Sequence, residues 1–160
     1  MADTLVVYYS LEGNVDFLAR EIADEMKADL LRLETEKEYP KKGLVKFFHG
    51  GKDAISNARP KLKTAIPDLS GYSTIVIGTP VWAGKPAAPI NTFLAGKNFS
   101  EKKVAVFASS AGGAAEKTFS AIADASSASL FATQSFKNPL ANETSSKEIA
   151  RMFARKVRGL

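Results

Sequence analysis

Three short segments carry residue types that suit the binding of a flat, negatively charged molecule. The first follows an apolar run and leads into a helical pattern; its residues are Ser10, Leu11, Glu12, Gly13, Asn14 and Val15. Glycine permits tight backbone curvature, and the free N–H groups at a helix start favour an anion. The Ser10 hydroxyl can donate one more hydrogen bond. This segment indicates a phosphate-binding loop, and the alternative is an ordinary turn in which Asn14 caps the helix.

The second segment contains the only tryptophan of the chain, set among glycine and proline residues. Its candidate binding residues are Thr79, Pro80, Val81, Trp82, Ala83 and Gly84. An indole at the end of a buried strand offers a stacking surface for a planar ring. The alternative is that Trp82 serves only as lid-like packing.

The third segment consists of small residues, whose backbone a ligand can approach closely. It comprises Ser109, Ser110, Ala111, Gly112 and Gly113. Together the three segments offer an anion site, an aromatic plate and a backbone wall. A phosphorylated planar ring is the ligand class that matches all three.

Alternating strand and helix patterns place these segments at one edge of a predicted sheet. Strands are predicted at 4–9, 29–34, 74–78, 103–108 and 128–135, with 29–34 at an edge, and 78–86 is predicted to be a loop. Helices are predicted at 15–27, 43–55, 86–94, 114–124 and 144–157. This alternation indicates an α/β fold with a parallel sheet covered by helices on both faces. Such sheets bind ligands at the carboxyl ends of their strands.

Two of these helices carry specific expectations. In the 43–55 helix we expect Leu44, Phe47, Phe48 and Ala54 to face inward, while Gly50 and Gly51 weaken its middle. In the closing helix we expect one buried face, made of Ile149, Met152, Phe153 and Val157.

Length and composition limit the possible function classes. A chain of 160 residues is consistent with a single domain, 1–160. The absence of cysteine excludes disulfides, thiolate metal sites, iron–sulfur clusters and thiol catalysis. No segment has the pattern of a secretory signal or the roughly 20 apolar residues of a membrane span, so we expect a cytoplasmic location and no membrane contact.

The chain is basic, with a net charge of +5 and a pI near 9.4. Basic residues concentrate in 37–63 and 147–158. These surfaces can attract an acidic partner, or they can simply keep the protein in solution. Since no aromatic residues alternate with the basic ones, we do not expect nucleic acid to bind.

Other nucleotide-binding patterns are absent. No G-x-G-x-x-G motif follows the first predicted strand, which excludes a typical dinucleotide site. The pair Gly84-Lys85 is followed by Pro86 instead of serine or threonine, which excludes a P-loop.

In their order and spacing along nearly the whole chain, the three segments resemble those of the flavodoxin family. The resemblance implies a three-layer sandwich with a five-stranded parallel sheet in the order 2-1-3-4-5, and FMN as the cofactor. The resemblance also implies that the phosphate is bound by Ser10, Gly13, Asn14 and Val15, and that Trp82 flanks the flavin ring. The Ala83-Gly84 backbone would lie near flavin N5, and 109–113 would contact the pyrimidine side of the ring.

Three departures from the family's pattern bear on function. Val15 stands where the family usually has a threonine, the third segment lacks the tyrosine that commonly covers a flavin face, and the chain is basic. The main hypothesis is an FMN-binding electron-transfer protein, monomeric or homodimeric, whose redox partner is a protein or a small-molecule acceptor. One alternative is an FMN-dependent reductase that passes hydride from NAD(P)H to a quinone or similar acceptor. Another is a binding module that has lost flavin.

Overall fold

The computed structural model describes residues 2–41 and 43–160, with the backbone alone at 43–45, 47 and 48. Its elements in chain order are β1 (Thr4–Tyr8), α1 (Asn14–Met26), β2 (Asp29–Arg32), α2 (Gly43–Ile55), β3 (Thr74–Trp82), β4 (Lys85–Pro86), α3 (Ala88–Leu94), β5 (Lys103–Ser110), α4 (Glu116–Ser126), β6 (Leu130–Lys137) and α5 (Glu143–Arg158). A 3-10 turn, Pro139–Ala141, precedes α5. In this part of the chain no helix is long and apolar enough to cross a membrane.

The sheet has the predicted order. Within the described residues, five parallel strands run β2-β1-β3-β5-β6, which is 2-1-3-4-5 when the parallel strands alone are numbered. The two-residue β4 was not predicted, and it pairs antiparallel with the end of β3. The predicted edge strand, β2, lies at one edge of the sheet.

Helices cover both faces because the central strands are apolar on both sides. Val6, Val76 and Ala105 occupy one register row and pack with α1 and α5. The next row, Val7, Ile77 and Val106, packs on the opposite face with α3 and α4. This alternation follows from the two-residue repeat of side-chain direction in a strand.

The predicted loop 78–86 is wrong, because β3 continues to Trp82 and forms a hairpin with β4. The β1 ladder ends at Tyr8 and Gly78, so Thr79 and Pro80 pair with β5 alone, and Val81 and Trp82 pair with β4. A proline without N–H is tolerated there, and Pro80 pairs with Ser109. The hairpin turn has positive φ at Ala83 (51°) and Gly84 (79°), as a type I′ turn requires.

The predicted buried face of α5 is half wrong. Phe153 and Val157 are buried, whereas Ile149 and Met152 are 39% and 60% exposed. Small residues at 150 and 154 face the sheet instead and let the helix approach it. The opposite flank is fixed by ion pairs to α1, namely Lys147–Glu21, Arg151–Glu21 and Arg155–Glu25.

The helix α2 has the bounds that the sequence predicts. Ala54 is fully buried, as expected. The side chains of Leu44, Phe47 and Phe48 lie outside the part of the chain that the structure describes.

Candidate functional site

A cavity of about 520 Å³ lies at the carboxyl edge of the sheet, a volume ordinary for a small-molecule site. Residues from all three predicted segments line it: Ser10, Leu11, Glu12, Asn14, Val15, Pro80, Val81, Trp82, Ala83, Ser109, Ser110 and Ala111. Three further lining residues, Lys46, Gly51 and Asn138, come from elsewhere in the chain. The fold therefore brings the three segments together around one space.

Five candidate residues do not line this cavity: Gly13, Thr79, Gly84, Gly112 and Gly113. Thr79 is fully buried; its hydroxyl donates to the Pro80 carbonyl (2.8 Å) and accepts from the Ala87 N–H (2.9 Å). These bonds join the two ends of the hairpin segment. Gly13 and Gly113 have positive φ, so they contribute to the shape of their loops without lining the cavity.

The first loop is closed by a hydrogen bond from its own backbone. The Gly13 N–H donates to Ser10 Oγ at 3.2 Å, and Gly13 precedes α1 with φ at 102°. Because Ser10 Oγ accepts this bond, its own proton remains available to another acceptor. Side chains of the described residues do not cap α1, so the N–H groups of its first turn can bind an anion.

The alternative in which Asn14 caps the helix is wrong. Asn14 is the first residue of α1, and its Oδ1 accepts the Leu140 N–H at 3.1 Å. The bond joins the first loop to the turn before α5. Asn14 therefore holds two walls of the cavity together.

A carboxylate in the first turn of α1 would repel an anion if it were uncompensated. Asp16 accepts hydrogen bonds from Tyr8, Arg20 (2.9 Å) and Arg32 (3.4 Å). Burial alone would raise the pKa of Asp16, but the hydrogen bonds from Arg20 and Tyr8 outweigh burial and lower that pKa. Arg32 also donates to the Ser10 carbonyl at 3.3 Å. The carboxylate is thus compensated by two guanidinium groups.

An ion pair in the cavity wall joins α2 to the first loop. Lys46 Nζ of α2 lies 2.9 Å from Glu12 Oε1 of the first loop, and both residues line the cavity. The Glu12 side chain is half exposed. The pair places an ammonium group beside the loop that contains Val15.

Trp82 lines the cavity and contacts two tyrosines that do not line it. Its ring makes edge contacts with Tyr9 (centroids 5.6 Å apart) and Tyr39 (4.9 Å). Tyr39 also donates to Asp53 of α2 at 2.6 Å. The indole is therefore part of the cavity wall and is positioned by its neighbours.

The third loop is built like the first. The Gly113 N–H donates to Ser110 Oγ at 2.7 Å, three residues apart as in the Gly13 and Ser10 pair. The Asn138 N–H donates to the Ser110 carbonyl at 3.1 Å. Each loop is thus a serine at a strand end closed by a glycine.

Comparison with known families agrees with this arrangement. Residues 3–153 match a family model described as Flavodoxin. The chain belongs to the flavodoxin family. The match covers all three loops and every element as far as the middle of α5.

Solved structures share the fold of this flavodoxin-family chain. A flavoprotein from Lactobacillus acidophilus NCFM, in complex with FMN, is 25% identical with a TM-score of 0.72, over 88% of this chain and 96% of that one. Flavodoxin 2 from Bacillus cereus is 18% identical (TM-score 0.59), over 99% of both chains. A WrbA-like flavodoxin from Agrobacterium tumefaciens is 15% identical (TM-score 0.54), over 98% and 97%. The last two likenesses establish the fold alone.

Three cavity residues of the flavodoxin-family chain were not found from the sequence. Lys46 was grouped with the basic surface of 37–63, and Asn138 follows a weak strand pattern. The sequence did contain a signal for Gly51. Two adjacent glycines destabilise the interior of a helix, so their presence indicates that the packing requires them.

The tyrosines beside the cavity make folding stability sensitive to alkaline pH. Burial raises the pKa of Tyr8 and of Tyr9 to about 12, and the bond to Asp16 adds to the effect on Tyr8. In an unfolded chain a tyrosine loses its proton near pH 10. Between pH 10 and pH 12 the unfolded state therefore binds fewer protons than the native state, and the free energy of unfolding must fall.

We expect denaturant unfolding, measured at a series of pH values between 10 and 12, to show this fall in the free energy of unfolding. The fall should be smaller in the Tyr9→Phe variant. Tyrosinate absorbance should develop at higher pH in the native protein than in the denatured chain. Coincident titration curves for the two states would contradict the prediction.

Proposed function

We propose that this chain binds one FMN non-covalently in the cavity and uses it as an electron carrier. The observation that carries the proposal is the shared cavity, in which the anion-binding start of α1 and the Trp82 indole line one space. The flavodoxin family membership and the FMN complex of the Lactobacillus flavoprotein support the same cofactor. When bound, FMN would supply the redox chemistry, and the protein would orient and tune it.

The phosphate would be held by the first loop. Ser10 offers its hydroxyl proton, and the first turn of α1 offers N–H groups and a favourable dipole. Lys46 also lines the cavity and, although its charge is paired with Glu12, it would bring an ammonium group to the wall that the first loop forms. These groups match a phosphate monoester in charge and in donor chemistry.

The flavin ring would stack on Trp82 and meet the backbone of the third loop. The type I′ turn presents the Ala83-Gly84 peptide next to the indole, where a carbonyl can accept the N–H of a reduced ring. The small residues Ser110 and Ala111 line the other side. This arrangement would shield part of a bound ring from water and leave its remaining surface to a redox partner.

The test is a titration of flavin-free protein with FMN, and with riboflavin as the phosphate-free control. We expect FMN to quench Trp82 fluorescence strongly. Riboflavin should bind at least about 100-fold more weakly than FMN, because the phosphate forms several charged hydrogen bonds. Equal affinities would refute the phosphate loop. No quenching by either flavin would leave the third hypothesis, a binding module without flavin.

A second candidate function is an FMN-dependent reductase that takes hydride from NAD(P)H. One observation favours it: the third loop, 109–113, carries no aromatic side chain to cover the ring. A substrate could then approach one ring face directly. NADPH oxidation by the FMN-loaded protein, with a quinone and without a partner protein, separates this function from that of a carrier.

We further propose an acidic redox partner, on the basis of the net charge of +5. Part of the basic surface is already compensated, since Lys147, Arg151 and Arg155 pair with acidic residues of α1. The basic segment 37–63 places Lys41 and Lys63 on a surface that shares Ser10 and Leu11 with the cavity, and we propose that this segment steers such a partner.

A further inference from the structure

Two adjacent glycines, Gly50 and Gly51, lie in the middle of α2. Glycine is a poor helix former, so a pair inside a helix needs a reason in the packing. Neither residue has a φ in the left-handed region, so backbone conformation does not require glycine here. The reason must be the space that a side chain would occupy.

Only one of the two positions is tightly packed. A Cβ at position 50 would lie 3.2 Å from Cδ2, 3.3 Å from Cε3 and 3.4 Å from Cε2 of Trp82. Such contacts are tighter than nine in ten of those that real Cβ atoms make. A Cβ at position 51 would meet Ala83 Cβ at 3.9 Å, which is an ordinary contact. The bare backbone at Gly50 therefore lies against the indole.

The surroundings limit where the indole can move. Tyr9 and Tyr39 contact the ring by their edges, and the hydrogen bond from Tyr39 to Asp53 links this cluster to α2 itself. Trp82 and Gly51 line the cavity, whereas Gly50 does not and lies against the indole. A Cβ at position 50 would therefore require the indole to shift by a few tenths of an ångström from its place in the cavity wall.

We propose that Gly50 is a positioning residue for ring binding: the bare surface of α2 fixes the plane of Trp82 on which a flat ring stacks. The proposal rests on the proposed function for the identity of the ring. It gives α2 a role in the cavity that none of the three loops supplies. It also explains why a helix with two consecutive glycines forms this wall.

The first test needs no flavin. Trp82 is the only tryptophan, so the indole bands of the near-ultraviolet circular dichroism spectrum report its orientation. We expect Gly50→Ala to change these bands and Gly51→Ala to leave them as in the wild type. Both substitutions raise helix propensity equally, so the comparison isolates the contact with the indole.

The second test measures affinity for FMN and for riboflavin. Gly50→Ala should weaken both by about fivefold, as expected for a partly lost aromatic contact, and the ratio of the two affinities should not change. In a Trp82→Leu background, adding Gly50→Ala should change neither affinity by more than about twofold, because the side chain that it displaces is gone.

The outcomes separate the two proposals. If wild-type protein binds FMN and Gly50→Ala weakens binding equally in both backgrounds, Gly50 does not act through Trp82 and the inference is overturned. Unchanged circular dichroism of Gly50→Ala would also overturn it. If wild-type protein binds neither flavin, the proposed function fails, and the flavin-free comparison still decides whether Gly50 positions the indole.

Discussion

Gly78→Ala is expected to lower the free energy of unfolding by about 3 kcal/mol or more, the largest effect on stability that we expect from a single methyl group. Its Cβ would lie 2.2 Å from Cζ of Phe107 and within 2.8 Å of both Cε atoms. Real Cβ atoms essentially never approach this closely. The Phe107 ring is fully buried and packs against Phe153, so it has little room to withdraw.

The backbone cannot relieve this clash either. Gly78 lies in the central strand of the sheet, paired with Tyr8 of β1 on one side and with Phe107 of β5 on the other. A shift of β3 would break hydrogen bonds along both ladders. The expected consequence is loss of stability throughout the sheet, measured by chemical or thermal unfolding.

Two comparisons isolate the cause. Gly112→Ala adds the same methyl group where no heavy atom lies within 4 Å, and it should leave the unfolding free energy within about 0.5 kcal/mol of the wild type. Phe107→Leu removes the ring and should partly rescue Gly78→Ala, so that the double variant is more stable than the sum of the single effects implies. Simple additivity would refute a clash with Phe107.

Ser10→Ala is expected to weaken FMN binding by about 10- to 100-fold, since it removes a hydrogen bond to a charged group. It also removes the acceptor that holds the Gly13 N–H at 3.2 Å and closes the loop. Riboflavin has no phosphate, so its affinity should change by less than about threefold. Isothermal titration calorimetry with both ligands measures the two effects.

Ser110→Ala is the matched control because Ser110 has the same geometry at the end of β5. Its Oγ accepts the Gly113 N–H at 2.7 Å, and it also lines the cavity. In the proposed binding mode Ser110 contacts the ring and not the phosphate, so its loss should weaken FMN and riboflavin by the same factor. An equal loss of both ligands with Ser10→Ala would mean that the first loop does not bind the phosphate.

The sequence predicted the central architecture because burial on both faces leaves a clear signal. The apolar segments predicted to begin at Thr74 and Lys103 are the strands β3 and β5, which begin at those residues, and α2 has the predicted bounds. The sheet order followed from the family resemblance and is confirmed. Such strands have few alternatives, since an unbroken β-branched run must be covered by helices.

The errors arose where tertiary context overrides local pattern. The continuation of β3 past Gly78 depends on β1 ending at Tyr8, which no local feature of Pro80 reveals. On α5, Ile149 and Met152 have the apolar character of a buried face, but the ion pairs to α1 and the small residues toward the sheet set a different rotation.

The candidate site was predicted as far as its residues follow strand ends. The carboxyl ends of β1, β3 and β5 converge in any parallel sheet, so Ser10, Trp82 and Ser110 line one cavity. Lys46 and Gly51 reach it from a helix that follows an edge strand, and sequence spacing does not show where such a helix packs.

The cavity wall is assembled from segments that lie between Ser10 and Asn138 in the chain. No one of these segments holds the others in place, so the cavity exists only while β1, β3, β5 and β6 are aligned. A ligand of this cavity therefore binds the native state and not the unfolded chain. Its binding free energy adds to the stability of the whole sheet, by about 2.7 kcal/mol at a free concentration of 100 Kd. Cofactor supply and protein lifetime are thus linked by mass action.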